Sequence, residues 1–244
     1  MNVLCVIPAR YASTRLPGKP LKDIAGKPMI CRVYERAAKA SRVAAAIVAT
    51  DDSRIYDAVL QHGGKAGMTR KDHPTGTDRL AEVAEKYPDV DLIINVQGDE
   101  PLIEPKLIDE LAAAFDGDAD LQMATVCTEI TDEAEQQNPN NVKVVMDKQG
   151  YALYFSRSLM PYPRHPGTPV YKHIGIYAYK RDFLLAYAKM AETPLEHAES
   201  LEQLRALENG YRIKVIKTPY RFVGVDTAED LAKVNAIYRQ MMQG

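Results

Sequence analysis

Short apolar runs alternate with amphipathic stretches along the first half of the chain. Uninterrupted apolar runs are typical of strands buried on both faces, and apolar residues at helical spacing are typical of helices that pack on a sheet. The pattern predicts strands at 3–7, 46–50, 92–96 and 122–127, and helices at 28–41, 52–62, 104–115 and from Gly76 onward. This alternation indicates a mostly parallel sheet between helices, which binds ligands at the carboxyl ends of its strands.

The pattern changes beyond residue 140. Apolar runs at 142–146 and 151–156 flank a polar turn that ends in Gly150, which predicts a hairpin. A proline-rich loop at 159–169 follows, and then a strand in which Ile174, Ile176 and Ala178 alternate with other residues. We therefore expect a small antiparallel insertion near 142–179.

The last part of the chain returns to helical spacing. The pattern there predicts helices at 196–209 and 227–242 and a strand at 211–217. No internal repeat, low-complexity tract or flexible linker divides the sequence. We expect a single α/β domain over 1–244.

Composition and charge exclude several classes of partner. The 31 basic and 33 acidic residues give a net charge of −2, which argues against attraction of the whole chain to nucleic acid or to a membrane. The cysteines Cys5, Cys31 and Cys127 lie far apart in apolar runs, which favours buried thiols in a reducing compartment over a zinc or redox site. No apolar run reaches the roughly 20 residues of a membrane span, and the first residues lack a signal-peptide layout. We expect a cytoplasmic protein.

Charge is unevenly distributed although the total is close to zero. The first 22 residues contain Arg10, Arg15 and Lys19 and no acid. The loop that holds them is not a Walker loop, and the chain has no GxGxxG segment. Three cations at the end of a buried strand favour phosphate binding, because Arg makes bidentate contacts to phosphate and Lys contacts it as a point charge. The alternative is a solvated basic loop.

Two aspartates each follow apolar residues and a glycine. Asp99 comes directly after the strand at 92–96, in QGDEP, and Asp226 ends the segment VGVD. Such carboxylates suit Mg²⁺, which takes one or two carboxylates and fills its other positions with water and substrate phosphate. Each aspartate is also a candidate N-cap of the next helix, and spacing alone leaves both interpretations open.

Polar residues in the second half are ambiguous on spacing alone. His173 and Tyr177 share one face of a strand, and such a pair is more often structural than catalytic. Glu199, Glu202 and Gln203 lie off the leucine stripe of their helix, which predicts a solvated face.

Six segments of the chain occur together in a characteristic order: PARYASTRLPGKPL, MTRKDHPTGTDR, NVQGDEP, HIGIYAY, LEHAESLEQLR and GVDTAEDL. Together they resemble the 3-deoxy-D-manno-octulosonate (KDO) cytidylyltransferases, also called CMP-KDO synthetases. The resemblance runs from about residue 2 to 235. The first segment alone would indicate only a wider group that includes the CMP-sialate synthetases, and the stretch 162–171 matches no motif.

The resemblance implies a Rossmann-like nucleotidyltransferase fold and a homodimer. It implies that CTP and KDO give CMP-KDO and pyrophosphate with Mg²⁺ as the cofactor, and that the product supplies lipopolysaccharide assembly. The implied catalytic residues are Arg10, Lys19 and Asp99, and the implied metal ligands are Asp99 and Asp226. The implied nucleotide contacts are Arg10, Lys19, Arg70, Gly76, Thr77 and Arg79. The implied sugar-acid contacts are Arg15, Gln97, His173, Tyr177, Glu202 and Gln203.

Two alternative functions stay open at this point. One is a related cytidylyltransferase that acts on another 2-keto sugar acid, which would differ in the residues around His173, Glu202 and Gln203. The other is a nucleotide-binding module without catalytic activity, against which the candidate metal ligands and phosphate cations argue.

Overall fold

A computed structural model describes residues 1–12, 16–165, 167–220 and 222–242. The described residues divide into two units, one within Met1–Asp109 and Phe222–Gly244 and the other within Glu110–Arg221. The single domain expected from the sequence stays a prediction. None of the helices in the described part of the chain is both long and apolar enough to span a membrane.

The strands follow the apolar runs of the sequence. In chain order, those among the described residues are β1 Val3–Ala9, β2 Asp23–Ile24, β3 Lys27–Pro28, β4 Ala45–Thr50, β5 Ala66–Met68, β6 Leu92–Asn95, β7 Met123–Ile130, β8 Lys143–Met146, β9 Ala152–Ser156, β10 Val170–Lys180 and β11 Ile213–Lys217.

The α-helices follow the stretches of helical spacing. Those among the described residues are α1 Met29–Ala37, α2 Ser53–Gln61, α3 Gly76–Glu85, α4 Pro105–Ala113, α5 Glu133–Gln137, α6 Arg181–Tyr187, α7 Pro194–Glu199, α8 Gln203–Glu208 and α9 Ala228–Met241. Side chains satisfy the free N–H groups at several helix starts. Asp52 caps α2 by accepting from the Arg54 N–H at 3.0 Å, and Thr75 and Thr227 form capping boxes at α3 and α9.

The first unit is built on a parallel sheet. β1 pairs with β4 on one side and with β6 on the other, and β4 pairs with β5, all in parallel. Every residue of β6 and nearly every residue of β1 is buried, as the uninterrupted apolar runs predict. Because the strands are parallel, the segments after β1, β4, β5 and β6 leave the sheet at one edge.

The second unit combines one parallel pair with antiparallel pairs. β11 lies parallel to β7, β10 lies antiparallel to β7, and β8 forms a hairpin with β9. β8 also pairs with β10 where Lys143 lies opposite Lys172. The hairpin and the antiparallel region predicted near 142–179 are confirmed.

The structure corrects two predicted helices. The single helix predicted at 196–209 is wrong: α7 ends because Ser200 has a left-handed backbone with φ of 51°, and α8 begins afresh at Gln203. The helix predicted at 28–41 runs only from Met29 to Ala37. Pro28 precedes it, because this residue lies opposite Asp23 in the small hairpin of β2 and β3.

The capping box of α9 fixes the backbone directly after Asp226. The Thr227 hydroxyl accepts from the Asp230 N–H at 3.1 Å, and the Asp230 carboxylate accepts from the Thr227 N–H at 2.9 Å. Thr227→Ala removes one half of this box. We expect it to lower the free energy of unfolding in urea by about 1 kcal/mol. Thr227→Ser keeps a hydroxyl and should retain most of the stability, and equal stability of the Ala and Ser variants would contradict this role.

Candidate active site

A pocket of about 350 Å³ lies at the carboxyl edge of the parallel sheet in the first unit. Its lining comes from the segments after β1 and β6 and from the start of α9: Pro8, Ala9, Arg10, Ala12, Lys19, Pro20, Gln97, Gly98, Asp99 and Asp226. Five residues expected to bind substrate or metal therefore line one pocket, namely Arg10, Lys19, Gln97, Asp99 and Asp226. Arg15 lies outside the described residues.

The Lys19 ammonium joins the two aspartates of this pocket. Its Nζ lies 2.6 Å from Oδ2 of Asp99 and 3.1 Å from Oδ1 of Asp226. Burial disfavours the charged form of Lys19, but the charge and the hydrogen bonds of Asp99 and Asp226 outweigh it and raise the pKa of Lys19 above its usual value. Lys19 is therefore a permanent cation, and oxygens of both carboxylates lie within hydrogen-bond reach of one atom.

Gly98 allows the loops around Lys19, Asp99 and Asp226 to approach one another closely. A Cβ on Gly98 would lie 2.8 Å from the carbonyl oxygen of Pro8, so only glycine lets the loop after β6 pass the end of β1. The Val225 N–H donates to the Asp99 carbonyl at 2.9 Å and ties the segment before α9 to the same loop. The backbone thus holds Asp99 and Asp226 side by side.

The N-cap interpretation of the two aspartates is wrong. α9 is capped by Thr227, and Asp226 lies one residue outside the cap. α4 does not begin until Pro105, so Asp99 does not cap it. Both carboxylates instead reach Lys19.

Arg10 is held by the loop that precedes α3. Its Nη2 donates to the carbonyl oxygen of His73 at 2.6 Å and to that of Thr75 at 3.3 Å. Gly76 and Thr77 form the first turn of α3, directly after Thr75. Arg70 lies on the exposed side of the same loop, with its Nε 3.4 Å from Oδ1 of Asp72. The structure thus places the loop expected to bind nucleotide beside Arg10.

Arg79 is placed differently from the other residues of this group. Its side chain is fully buried and contacts Oδ2 of Asp51 at 3.3 Å and the hydroxyl of Thr69. Burial, together with the charge of Arg10, lowers the pKa of Arg79. In this structure Arg79 joins the segments after β4 and β5 rather than facing the pocket. Asp51 follows the apolar run at 46–50 and was expected only as a possible helix cap, although Asp99 likewise lies just beyond a strand of this sheet.

His173 and Tyr177 lie together on β10 in the second unit. Their ring centroids are 5.4 Å apart, and Phe155 packs edge-on against His173 at 5.0 Å. Nε2 of His173 lies 3.0 Å from the hydroxyl of Thr125. Burial lowers the pKa of His173 to about 3 and raises that of Tyr177, so both rings are neutral at physiological pH.

Gln203 is buried, which makes the predicted solvated face wrong for this residue. It is only 5% exposed, and its Nε2 has no hydrogen-bond partner among the described residues. The backbone carbonyl oxygen of Glu202 accepts from the Tyr187 hydroxyl at 2.6 Å. The side-chain Oε1 of Glu202 lies 4.0 Å from Nη1 of Arg205. Glu199 accepts from the Ser156 hydroxyl at 2.6 Å. A buried amide without a partner is costly in a protein interior, so Gln203 is a candidate ligand-binding group.

Known proteins share this architecture along most of the chain. A family model for cytidylyltransferases matches residues 4–215. The 3-deoxy-manno-octulosonate cytidylyltransferase of Fusobacterium nucleatum is 58% identical over 235 residues, and its counterpart from Geobacter metallireducens is 54% identical over 246 residues; each alignment covers 96% of both chains. The solved structure of a CMP:2-keto-3-deoxy-manno-octonic acid synthetase in complex with CTP is 49% identical. It superposes with a TM-score of 0.95 over 99% of this chain and 100% of the other.

The Rossmann-like parallel sheet, its pocket and the matching family model define a cytidylyltransferase, an enzyme of the nucleotidyltransferase class. The sequence identity to the relatives and the coverage of both chains then identify the family within this class. The chain belongs to the family of 3-deoxy-manno-octulosonate cytidylyltransferases. The resemblance seen in the six sequence segments and the predicted α/β fold class are confirmed.

The partly buried His173 ring makes stability depend on pH. Its pKa is about 3 in the folded protein and about 6.5 in the unfolded chain, so between these values the unfolded chain binds the additional proton. Stability is therefore lost as the pH falls from 6.5 towards 3. His173→Gln should reduce the loss of unfolding free energy between pH 7 and pH 5 by roughly 1–2 kcal/mol, measured by urea denaturation.

An exposed histidine provides the control for this measurement. His165→Gln, in the loop before β10, should leave the pH dependence as in the wild type. An equal acid-induced loss of stability in the His173→Gln variant and the wild type would contradict the assignment.

Proposed function

We propose that this protein transfers CMP from CTP to the anomeric hydroxyl of KDO and releases pyrophosphate. The observation that carries the proposal is the pocket in which Lys19 joins Asp99 and Asp226 beside Arg10. The names of the relatives, and the CTP bound to the related synthetase, support the choice of substrates.

The reaction brings anions together, and the cations of the pocket suit that task. An oxygen of the sugar acid must attack the α-phosphorus of a triphosphate, and negative charge develops on the departing pyrophosphate. Arg10 and Lys19 are positioned to bind the phosphates and to stabilise this charge. Losing one such contact would cost about 2–4 kcal/mol of transition-state stabilisation.

The carboxylates of the pocket fit a magnesium ion. Oxygens of Asp99 and Asp226 both lie within hydrogen-bond distance of Nζ of Lys19, which supports a shared cation position between them. No group of three or more His, Cys, Asp or Glu side chains that could hold a metal occurs among the described residues, and Mg²⁺ needs only one or two carboxylates when phosphate and water complete its shell. When bound, the ion would neutralise phosphate charge and polarise the reacting phosphorus. Asp99 and Asp226 would hold it.

We assign the sugar acid to the polar residues that the resemblance implies. They include the neutral pair His173 and Tyr177, Glu202, and Gln203, whose Nε2 has no hydrogen-bond partner among the described residues. They also include Gln97, which lines the pocket, and Arg15, which lies outside the described residues. Neutral hydrogen-bonding groups suit the hydroxyls of a sugar, and an arginine suits its carboxylate.

The wider assignments follow from the same proposal. CMP-KDO is an activated sugar donor, so we place the product in lipopolysaccharide assembly and the enzyme in the cytoplasm. The free cysteines Cys5, Cys31 and Cys127 are all buried, which is compatible with a reducing compartment. We also propose that the protein is a homodimer, which sedimentation or light scattering of the purified protein would test.

Omission of single components tests the reaction itself. We expect pyrophosphate release only when enzyme, CTP, KDO and Mg²⁺ are all present, because each supplies a separate part of the transition state. A panel of other 2-keto sugar acids under the same conditions tests the sugar specificity. Faster release with a sialic acid, or nucleotide binding without turnover on any sugar acid, would overturn the proposal.

Asp99→Asn tests the metal-binding role. The change keeps the shape of the side chain but removes its charge, so turnover should fall by about 100-fold or more while the Kd for CTP changes much less. Asp57→Asn, on the exposed side of α2, is the matched control and should leave both quantities unchanged. Turnover and CTP binding are measured separately, by pyrophosphate release and by calorimetry. Equal losses in both would count against a role in the transition state.

A further inference from the structure

The orientation of Arg10 depends on a loop that is itself anchored to α3. The Arg10 Nη2 donates to two carbonyl oxygens, those of His73 and Thr75. Carbonyl oxygens are neutral, so they direct the guanidinium without cancelling its charge. The position of the His73–Thr75 backbone therefore sets the direction in which the other N–H groups of Arg10 point.

His73 is fixed by a single carboxylate. Its Nε2 lies 2.6 Å from Oε2 of Glu82, and the side chains are 2% and 17% exposed respectively. A carboxylate only accepts, so Nε2 of His73 carries the proton, whereas its buried Nδ1 has no hydrogen-bond partner among the described residues. The ring is thus held in place by its bond to Glu82.

Glu82 anchors the loop at further points. Its Oε2 also accepts from the Arg70 N–H at 2.9 Å, and its Oε1 accepts from Nζ of Lys86 at 2.8 Å. Burial opposes the charge of Glu82, but the hydrogen bonds from Lys86, Arg70 and His73 outweigh it and lower the pKa of Glu82 to about 2. The carboxylate therefore stays ionised throughout the physiological range and keeps accepting all three bonds.

We propose that Glu82 is a positioning residue for CTP binding, which acts by holding His73 and thereby the carbonyl groups that orient Arg10. This inference rests on the proposed function, in which Arg10 binds the phosphates of CTP. Glu82 lies on α3 and is not among the pocket-lining residues, so its effect on the nucleotide is exerted through Arg10.

A double-mutant cycle on nucleotide binding tests the proposal. The single variants are Glu82→Gln, His73→Gln and Arg10→Ala, and the double variants combine each Gln change with Arg10→Ala. The measured quantity is the Kd for CTP, obtained by calorimetry. Glu82→Gln keeps the size of the side chain but removes its charge, which weakens the bond from His73, and its amide NH2 group cannot accept from Lys86. We expect Glu82→Gln and His73→Gln each to weaken CTP binding by about tenfold. In the Arg10→Ala background the same changes should have no further effect.

A purely structural role predicts different results. Loss of fold stability alone would weaken CTP binding equally with and without Arg10 and would raise the KM for KDO as well, whereas a positioning role leaves that KM unchanged. Glu85→Gln, three residues along the same helix on its exposed side, is the matched control and should bind CTP like the wild type. Thermal unfolding of each variant verifies that it is folded.

The outcomes separate this inference from the proposed function. If Arg10→Ala does not weaken CTP binding, the assignment of Arg10 to the phosphates fails. If Arg10→Ala weakens binding but Glu82→Gln and His73→Gln have no effect, or an effect that adds fully to that of Arg10→Ala, the positioning role alone is overturned. If one of the two Gln variants does not fold, the other completes the cycle.

Discussion

The ion triad of Lys19, Asp99 and Asp226 is the constraint on which the site depends. Two carboxylates close together in a partly buried pocket repel each other unless a cation lies between them, and Lys19 supplies it at 2.6 and 3.1 Å. The members come from the segments after β1 and β6 and before α9. Asp226 lies 207 residues from Lys19 along the chain. The pocket therefore forms only when the last part of the first unit packs against its first part.

The strand-and-helix alternation could be predicted from the sequence because it depends on local periodicity, which a buried strand or an amphipathic helix imprints on a few consecutive residues. Elements too short to give a period were missed, such as β5 and the hairpin of β2 and β3. That hairpin turns at Ala25 and Gly26, which both have positive φ, and alanine gives no signal for such a turn. The break between α7 and α8 was also missed, because serine, like alanine, gives no signal for a residue with positive φ.

The candidate site was less predictable than the fold, because its contacts join distant segments. The rule that ligands bind at strand ends predicts that Asp99 and the loop of Arg10 lie at one edge of the sheet. It gives no reason to expect Lys19 between two aspartates. Arg79 illustrates the limit of inference by residue type. An arginine after a polar loop suits a phosphate, yet in this structure Arg79 is buried against Asp51 and Thr69, and its Nε and Nη2 have no hydrogen-bond partner among the described residues.

Arg10 and Lys19 are both cations of one pocket, but their partners suit them to different tasks. Lys19 contacts two carboxylates, so moving it towards a phosphate exchanges one set of charged contacts for another. The acceptors of Arg10 among the described residues are neutral carbonyl groups, which fix its geometry and leave its charge available to an anion. An enzyme lowers its barrier most with charges that are oriented before the substrate arrives, because none of the binding energy is then spent on turning them. Arg10 meets that condition through the backbone that Glu82 and His73 hold, whereas Lys19 must first exchange its contacts to the two aspartates for contacts to phosphate.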